Sequence, residues 1–123
     1  MALIFNGTTI TTVVFNGTTM SNVYFNGTLV VSPAAVQTAT PSISAGAYLG
    51  SQWYIQITNN DGSTATIYAE ENDSTPDINR GSVASGSSVQ VTSSQPSFAT
   101  FTMYATAQAS GETLSSVASR TIT

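Results

Sequence analysis

Six carboxylates, Asp61, Glu70, Glu71, Asp73, Asp77 and Glu112, are the side chains of this 123-residue sequence with the most chemistry to offer. Four of them, Glu70, Glu71, Asp73 and Asp77, share one short segment with Asn72 and Ser74. Hard oxygen ligands grouped in one loop are what calcium prefers. The segment lacks the spacing of an EF-hand, so the plainer reading is a solvated acidic loop, with calcium the minor alternative and no cofactor expected. Glu70 and Glu71 are adjacent and face opposite ways if they lie on a strand, which makes them a poor acid–base pair for glycoside hydrolysis.

Other catalytic chemistries fall by residue type. The sequence has no histidine and no lysine, which removes a Ser-His-Asp arrangement, a Ser-Lys pair and a Schiff base. It has no cysteine, hence no thiol nucleophile, disulfide framework or zinc–thiolate site. No Gly-rich phosphate loop is present. The chain is therefore read as having no catalytic residues. Arg80 and Arg120 are the only basic side chains in a net charge of −4, too few to neutralise a run of phosphates or to hold an anionic membrane. No basic segment followed by an apolar core opens the sequence, and no window approaches the ~18 apolar residues of a membrane span. Neither nucleic acid nor membrane is expected as a partner; protein or glycan is.

With 41% hydrophobic residues, the chain can form a core and is expected to fold as one domain with an appended element. That element is spelled out at the start. Phe5-Asn6-Gly7-Thr8, Phe15-Asn16-Gly17-Thr18 and Phe25-Asn26-Gly27-Thr28 repeat one phrase every ten residues. Asn-Gly is a strong signal for a type I′ hairpin turn, since both central positions need positive φ. The turn-defining pairs Asn6-Gly7, Asn16-Gly17 and Asn26-Gly27 thus predict an antiparallel meander over residues 2–5, 8–15, 18–25 and 28–31. The Thr, Val, Ile, Phe and Tyr that fill these segments suit strands.

Two-residue turns also set the register: Phe5 faces Thr8, Phe15 faces Thr18 and Phe25 faces Thr28. Leu3, Ile10, Val23 and Val30 then form one row across four strands. Ile4, Thr9, Tyr24 and Leu29 form a row on the opposite face, where Val13 meets Met20. A meander apolar on both faces needs a cover, which points to an assembly or docking module. Its expected protein interface is Leu3, Ile4, Phe5, Ile10, Val23, Tyr24, Phe25, Leu29 and Val30. Asn6, Asn16, Asn26 and Asn72 each begin an N-glycosylation sequon, but the turns account for the first three without a glycan.

Residues 1–32 are accordingly one module, 33–41 a linker rich in proline and small residues, and 42–123 a second domain. Trp53, Ile55 and Ile57 alternate with Tyr54, Gln56 and Thr58, and the run ends in the turn signal Asn59-Asn60-Asp61-Gly62. Further strands are expected over 64–70, 88–91, 98–107 and 117–123, with turns at Gly86 and at 109–112. Short strands without a helical period predict an antiparallel β-sandwich. Trp53 is read as a core residue; the alternative has Tyr48, Trp53 and Tyr54 stacking on a sugar or partner.

Ile67-Tyr68, Asp73-Ser74-Thr75-Pro76, the Ser85-Gly86 turn, Tyr104-Ala105-Thr106-Ala107, Gly111 and residues 115–118 with the terminal strand resemble immunoglobulin-like or fibronectin-type modules. Such modules occur beside bacterial surface enzymes and in phage virion proteins. The opening repeat resembles the V-x-F-N-G-T hairpin strings of tailed-phage structural proteins. Together these resemblances imply a small virion protein, foremost a capsid decoration (cement or head-fibre) protein on the capsid surface, made in the host cytoplasm. They imply docking on the major capsid protein or another virion protein, frequently as a trimer. A tail-fibre or tail accessory protein, or a receptor- or glycan-binding module, is the alternative.

Overall fold

The computed structural model describes residues 3–5, 8–10, 13–16, 18–20, 23–25, 28–31 and 36–123. The chain divides into two compact units, Met1–Ala35 and Val36–Thr123. All regular structure among the described residues is β-strand.

In the first unit the strands are β1 (Leu3–Phe5), β2 (Thr8–Ile10), β3 (Val13–Phe15), β4 (Thr18–Met20), β5 (Val23–Phe25) and β6 (Thr28–Val31). They pair as three separate antiparallel hairpins, β1–β2, β3–β4 and β5–β6. The spacing predicts instead one four-stranded meander with long inner strands. Between β2 and β3 the sequence reads Thr11-Thr12, and between β4 and β5 it reads Ser21-Asn22; these four lie outside the described residues. As residue types, hydroxyl and amide side chains compete for backbone hydrogen bonds, and Asn is a poor strand former. Ile10 pairs with Leu3, and no pairing among the described residues sets it opposite Val23.

The second unit carries β7 (Ser42–Ile43), β8 (Ala47–Leu49), β9 (Gln52–Thr58), β10 (Ala65–Glu71), β11 (Asn79–Val83), β12 (Ser88–Ser93), β13 (Phe101–Ala109) and β14 (Ala118–Ile122). One sheet has the order β11-β10-β13-β14, and the other β12-β9-β7 with β8 also paired to β9. Every one of these pairings is antiparallel. The period-two pattern of β9 buries Trp53, Ile55 and Ile57, as its alternation predicts, and the same pattern on β10 buries Ala65, Ile67 and Ala69. Phe101, Met103, Ala105, Ala107 and Ala109 of β13 join them, with Ile43, Val83, Val91 and Ile122, in one core cluster. The alanines of β10 and β13 leave room for the isoleucines and the indole of the facing sheet, the large-against-small complementarity that dense packing requires.

Three strands escape the sequence pattern. β7 and β8 are halves of one edge strand interrupted at residues 44–46, where the Ser44 hydroxyl accepts the Gln56 N–H at 2.9 Å. Gly46 has φ +78°, and a Cβ there would lie 3.2 Å from Ile55 Cγ1, so the bend needs glycine twice over. β11 is an edge strand with Asn, Arg and a left-handed Gly81 (φ 108°), and its pairing to β10 carries a bulge beside Ile67 and Tyr68. The other strands shift by a few residues from the expected bounds. Phe98, placed at a strand start by the sequence, lies in the preceding loop.

The expected linker 33–41 is only partly one. Residues 33–35 lie outside the described residues, but Gln37 bridges to Thr113 in parallel. Thr38 is buried, its N–H bonded to Thr113 O at 3.0 Å and its hydroxyl accepting the Ala109 N–H at 2.9 Å. Threonine satisfies two backbone groups of the sandwich here, which small-residue composition does not reveal.

Candidate functional site

The repeat unit places the predicted interface residues on strands in a definite register. Leu3 pairs with Ile10, Ile4 with Thr9 and Phe5 with Thr8; Val13 pairs with Met20 and Phe15 with Thr18; Tyr24 pairs with Leu29 and Phe25 with Thr28. One expected pair changes. Val23 meets Val31 rather than Val30, because a bulge beside Tyr24 gives β6 one extra residue. Asn16 has φ 52° and is exposed, the left-handed conformation a type I′ turn demands. Asn6, Gly7, Gly17, Asn26 and Gly27 lie outside the described residues. Among the described residues Leu3 and Ile10 pair in one hairpin, Val23 and Val30 lie in another, and no pairing joins the four in one row.

At the end of the sandwich where Val36 enters, a buried polar cluster replaces what the sequence reads as a turn. Asn59 is fully buried. Its Nδ2 donates to Ser63 O and Val83 O, both at 2.8 Å, and its Oδ1 accepts the Asp61 N–H at 2.9 Å. Asp61 accepts the Ala39 N–H on Oδ1 and the Ser63 N–H on Oδ2, each at 3.0 Å. Asn60 Nδ2 donates to Thr40 O at 3.0 Å and to Ser42 Oγ at 2.6 Å. Asn60 and Asp61 thus clamp the incoming chain 39–42, while Asn59 ties the end of β9 to Ser63 and Val83. The only hint in the sequence is two amides and a carboxylate in succession, and turn chemistry explains that equally well.

The Ala39 and Ser63 N–H groups hold the Asp61 carboxyl below its ordinary value, against the opposing effect of burial. A carboxylate depressed in the folded state stabilises fully above its unfolded value, about 3.9, and loses that contribution as pH falls through the lower folded value. Asp61→Asn is expected to melt below wild type at pH 7, with the gap in Tm narrowing progressively below about pH 4. A gap that stays constant through acid titration would show that the carboxylate charge contributes nothing to the clamp.

The acidic loop disperses its ligands. Glu70 Oε2 accepts the Asp77 N–H at 2.8 Å. Glu71 accepts from Ser93 Oγ and, at 3.2 Å, from Gln95 Nε2. Asp73 Oδ1 accepts both the N–H and the hydroxyl of Thr75, at 2.9 and 2.8 Å, the first bond chiefly lowering its pKa. Asn72 is left-handed (φ 59°), and its Oδ1 accepts the Thr102 N–H at 3.0 Å, so a structural duty occupies the fourth sequon. Among the described residues no three acidic side chains converge on a common point. Glu70, Glu71 and Asp73 work one by one as loop fasteners, and Asp77 contributes its backbone N–H.

Nor do the aromatics form a stacking platform. Trp53 is 5% exposed, edge-on to Tyr48 at 5.5 Å and to Phe101 at 6.0 Å, with its Nε1 donating to Pro96 O at 3.2 Å. Tyr48 packs on the core, and Tyr54 points to the outer face of the sheet. In the sandwich unit Phe98 is an exposed aromatic, 88% accessible, in the β12–β13 loop at the end opposite Val36. Nothing in its sequence neighbourhood distinguishes it from the buried Phe101.

No helix among the described residues is long and apolar enough to cross a membrane. No protein-family model matches the chain, and no curated protein matches it. Among solved structures it is similar to the PKD domain of an M14-like peptidase from Thermoplasmatales archaeon SCGC AB-540-F20. The identity is 22% and the TM-score 0.58, over 73% of this chain and 97% of that one. The likeness is to that protein's PKD domain, not to its peptidase. The fold it supports is that of an immunoglobulin-like β-sandwich.

Proposed function

We propose that this chain is a structural subunit of a bacteriophage virion, a capsid decoration protein that docks through residues 1–32 and displays the sandwich. The observation that carries the reading is repetition of one hairpin register. Phe5–Thr8, Phe15–Thr18 and Phe25–Thr28 pair identically, so the unit offers three equivalent two-stranded elements. Two-stranded hairpins are marginal by themselves and gain stability by pairing or packing with other surfaces. The sandwich has a complete core of its own and needs no such cover.

The partner is the major capsid protein or another virion protein, and the repeats also favour a homo-oligomer, with a trimer as the expected state. Stabilisation follows from mass action: a subunit that binds the assembled lattice and not its dispersed subunits shifts the equilibrium toward the lattice. The location is the virion surface, after synthesis in the host cytoplasm.

The test uses heads of the phage whose genome encodes the chain. Full-length protein is expected to co-sediment with them, and a truncation beginning at Ser32 to bind at least about tenfold more weakly, the equivalent of one well-buried apolar anchor. Equal binding by both would place docking on the sandwich. Binding to tails but not heads would favour a tail accessory role, and retention on host envelopes alone a receptor-binding module.

A further inference from the structure

Among the described residues two buried side-chain polar atoms have no hydrogen-bond partner, Thr106 Oγ1 and Glu112 Oε2. Such atoms are uncommon, because each forfeits the hydration it had in water. Both belong to residues that line recesses on one side of the sandwich. Strand β13 buries Ala105, Ala107 and Ala109 in the core, so Thr106 and Gln108 project to the outer face of their sheet. There they pair with Tyr68 and Thr66 of β10.

Tyr68 and Gln108 line both recesses, which makes the two adjoining halves of one groove. The larger half, about 440 Å³, adds Thr64, Thr66, Ser82, Ser110 and Glu112. The smaller, about 200 Å³, adds Pro76, Asp77, Thr106 and Leu114. Unlike Trp53, Tyr68 lies on an outer face and is half-buried, and Asp77 and Gln108 are exposed beside it. Asp77 lends its backbone N–H to the acidic loop, a bond that leaves its carboxylate to accept from a ligand. Gln108 Nε2 reaches Glu112 O at 3.3 Å and keeps a second N–H and its carbonyl.

We propose that this groove binds a neutral saccharide, with the Tyr68 ring against the C–H face of a pyranose. Sugar hydroxyls donate and accept at once, and the groove answers with hydroxyls, an amide and two carboxylates around one aromatic ring. No basic side chain lines either half, so an anionic ligand would meet two like charges and no counter-charge. An extended peptide finds no open strand edge here, because β10 is flanked by β11 and β13, and β13 by β10 and β14. Thr106 is 2% exposed, and rotation about its χ1 exchanges hydroxyl and methyl. Leu114, 46% exposed, can shift to admit a ligand hydroxyl to that atom. The site lies on the sandwich and is independent of where the hairpin repeats dock.

Amide NMR spectra of the full-length chain test this at pH 7, with the methyl glycosides of glucose, galactose, mannose and N-acetylglucosamine each raised to about 100 mM, since a neutral ligand of this size binds in the millimolar range. At least one glycoside is expected to shift the amides of Tyr68, Thr106 and Gln108 saturably, and glucuronate to shift none of them. Gln108→Ala and Asp77→Asn, both at exposed positions, are each expected to weaken binding about threefold to tenfold with Tm unchanged. Thr106→Val is expected to weaken it too while leaving Tm equal or higher, because it removes a buried hydroxyl that has no partner and keeps the shape. No saturable shift with any of these glycosides, shifts confined to other parts of the sandwich, equal binding of glucuronate, or undiminished affinity in the variants would each overturn the proposal. So would a Thr106→Val chain that melts lower and binds as before, since the hydroxyl would then serve the fold alone.

Discussion

Asn59→Ala is expected to destabilise the sandwich by about 4 kcal/mol, taking on the order of 1–3 kcal/mol for each buried backbone group left without a partner. The carbonyls of Ser63 and Val83 lose their donors, and the Asp61 N–H loses its acceptor. Asn59 has no exposed surface, so water cannot replace the amide without opening the strand ends. Asn59→Asp is a sharper test, since it keeps the acceptor but turns a carboxylate oxygen toward two carbonyls. It is expected to be at least as damaging at neutral pH and to improve on acidification, when the protonated acid can donate. Urea unfolding followed by the fluorescence of Trp53, the one tryptophan in the chain, measures both. A loss below about 1 kcal/mol for Asn59→Ala would mean that the loop relaxes to satisfy these groups locally.

Trp53→Ala is expected to cost a similar amount, about 4 kcal/mol, for a buried aromatic with cavity formation. The indole packs edge-on against Tyr48 and Phe101 and fastens the β12–β13 loop through Pro96 O. Trp53→Phe separates the two contributions. It keeps most of the apolar volume and loses the hydrogen bond, so a cost of about 1–2 kcal/mol is expected. Backbone amide exchange in residues 97–100 should accelerate in both variants, with strands β10 and β13 protected as before in Trp53→Phe. Unchanged loop exchange in Trp53→Phe would show that the turn closed by Ala99 holds Phe98 out without help from the core.

The two predictions concern opposite ends of one sandwich and differ in how far the sequence anticipates them. The burial of Trp53 is legible, since it shares a period-two row with Ile55 and Ile57 and a strand buries such a row. The role of Asn59 is not. Its partners are Ser63, four residues on, and Val83, twenty-four residues on, and the second reaches it only because β11 and β9 end together. Thr38 and Asp61 repeat the lesson, the first through Ala109 and the second through Ala39.

Local chemistry by itself determined a good deal of this protein. Asn-Gly turn preferences specified three hairpins and the Phe–Thr pairs beside each turn, because a two-residue loop leaves no freedom of register. Period-two alternation specified the core row of β9. Residue types excluded the thiol, imidazole and amine chemistries. Tertiary structure alone decided the rest: that the described hairpin strands pair separately, that residues 36–41 belong to the sandwich, that three neighbouring carboxylates serve different backbone and side-chain partners, and that Phe98 is exposed while Phe101 is buried. Each depends on where a distant strand ends or bends, and residue spacing encodes neighbours along the chain, not neighbours across the sheet.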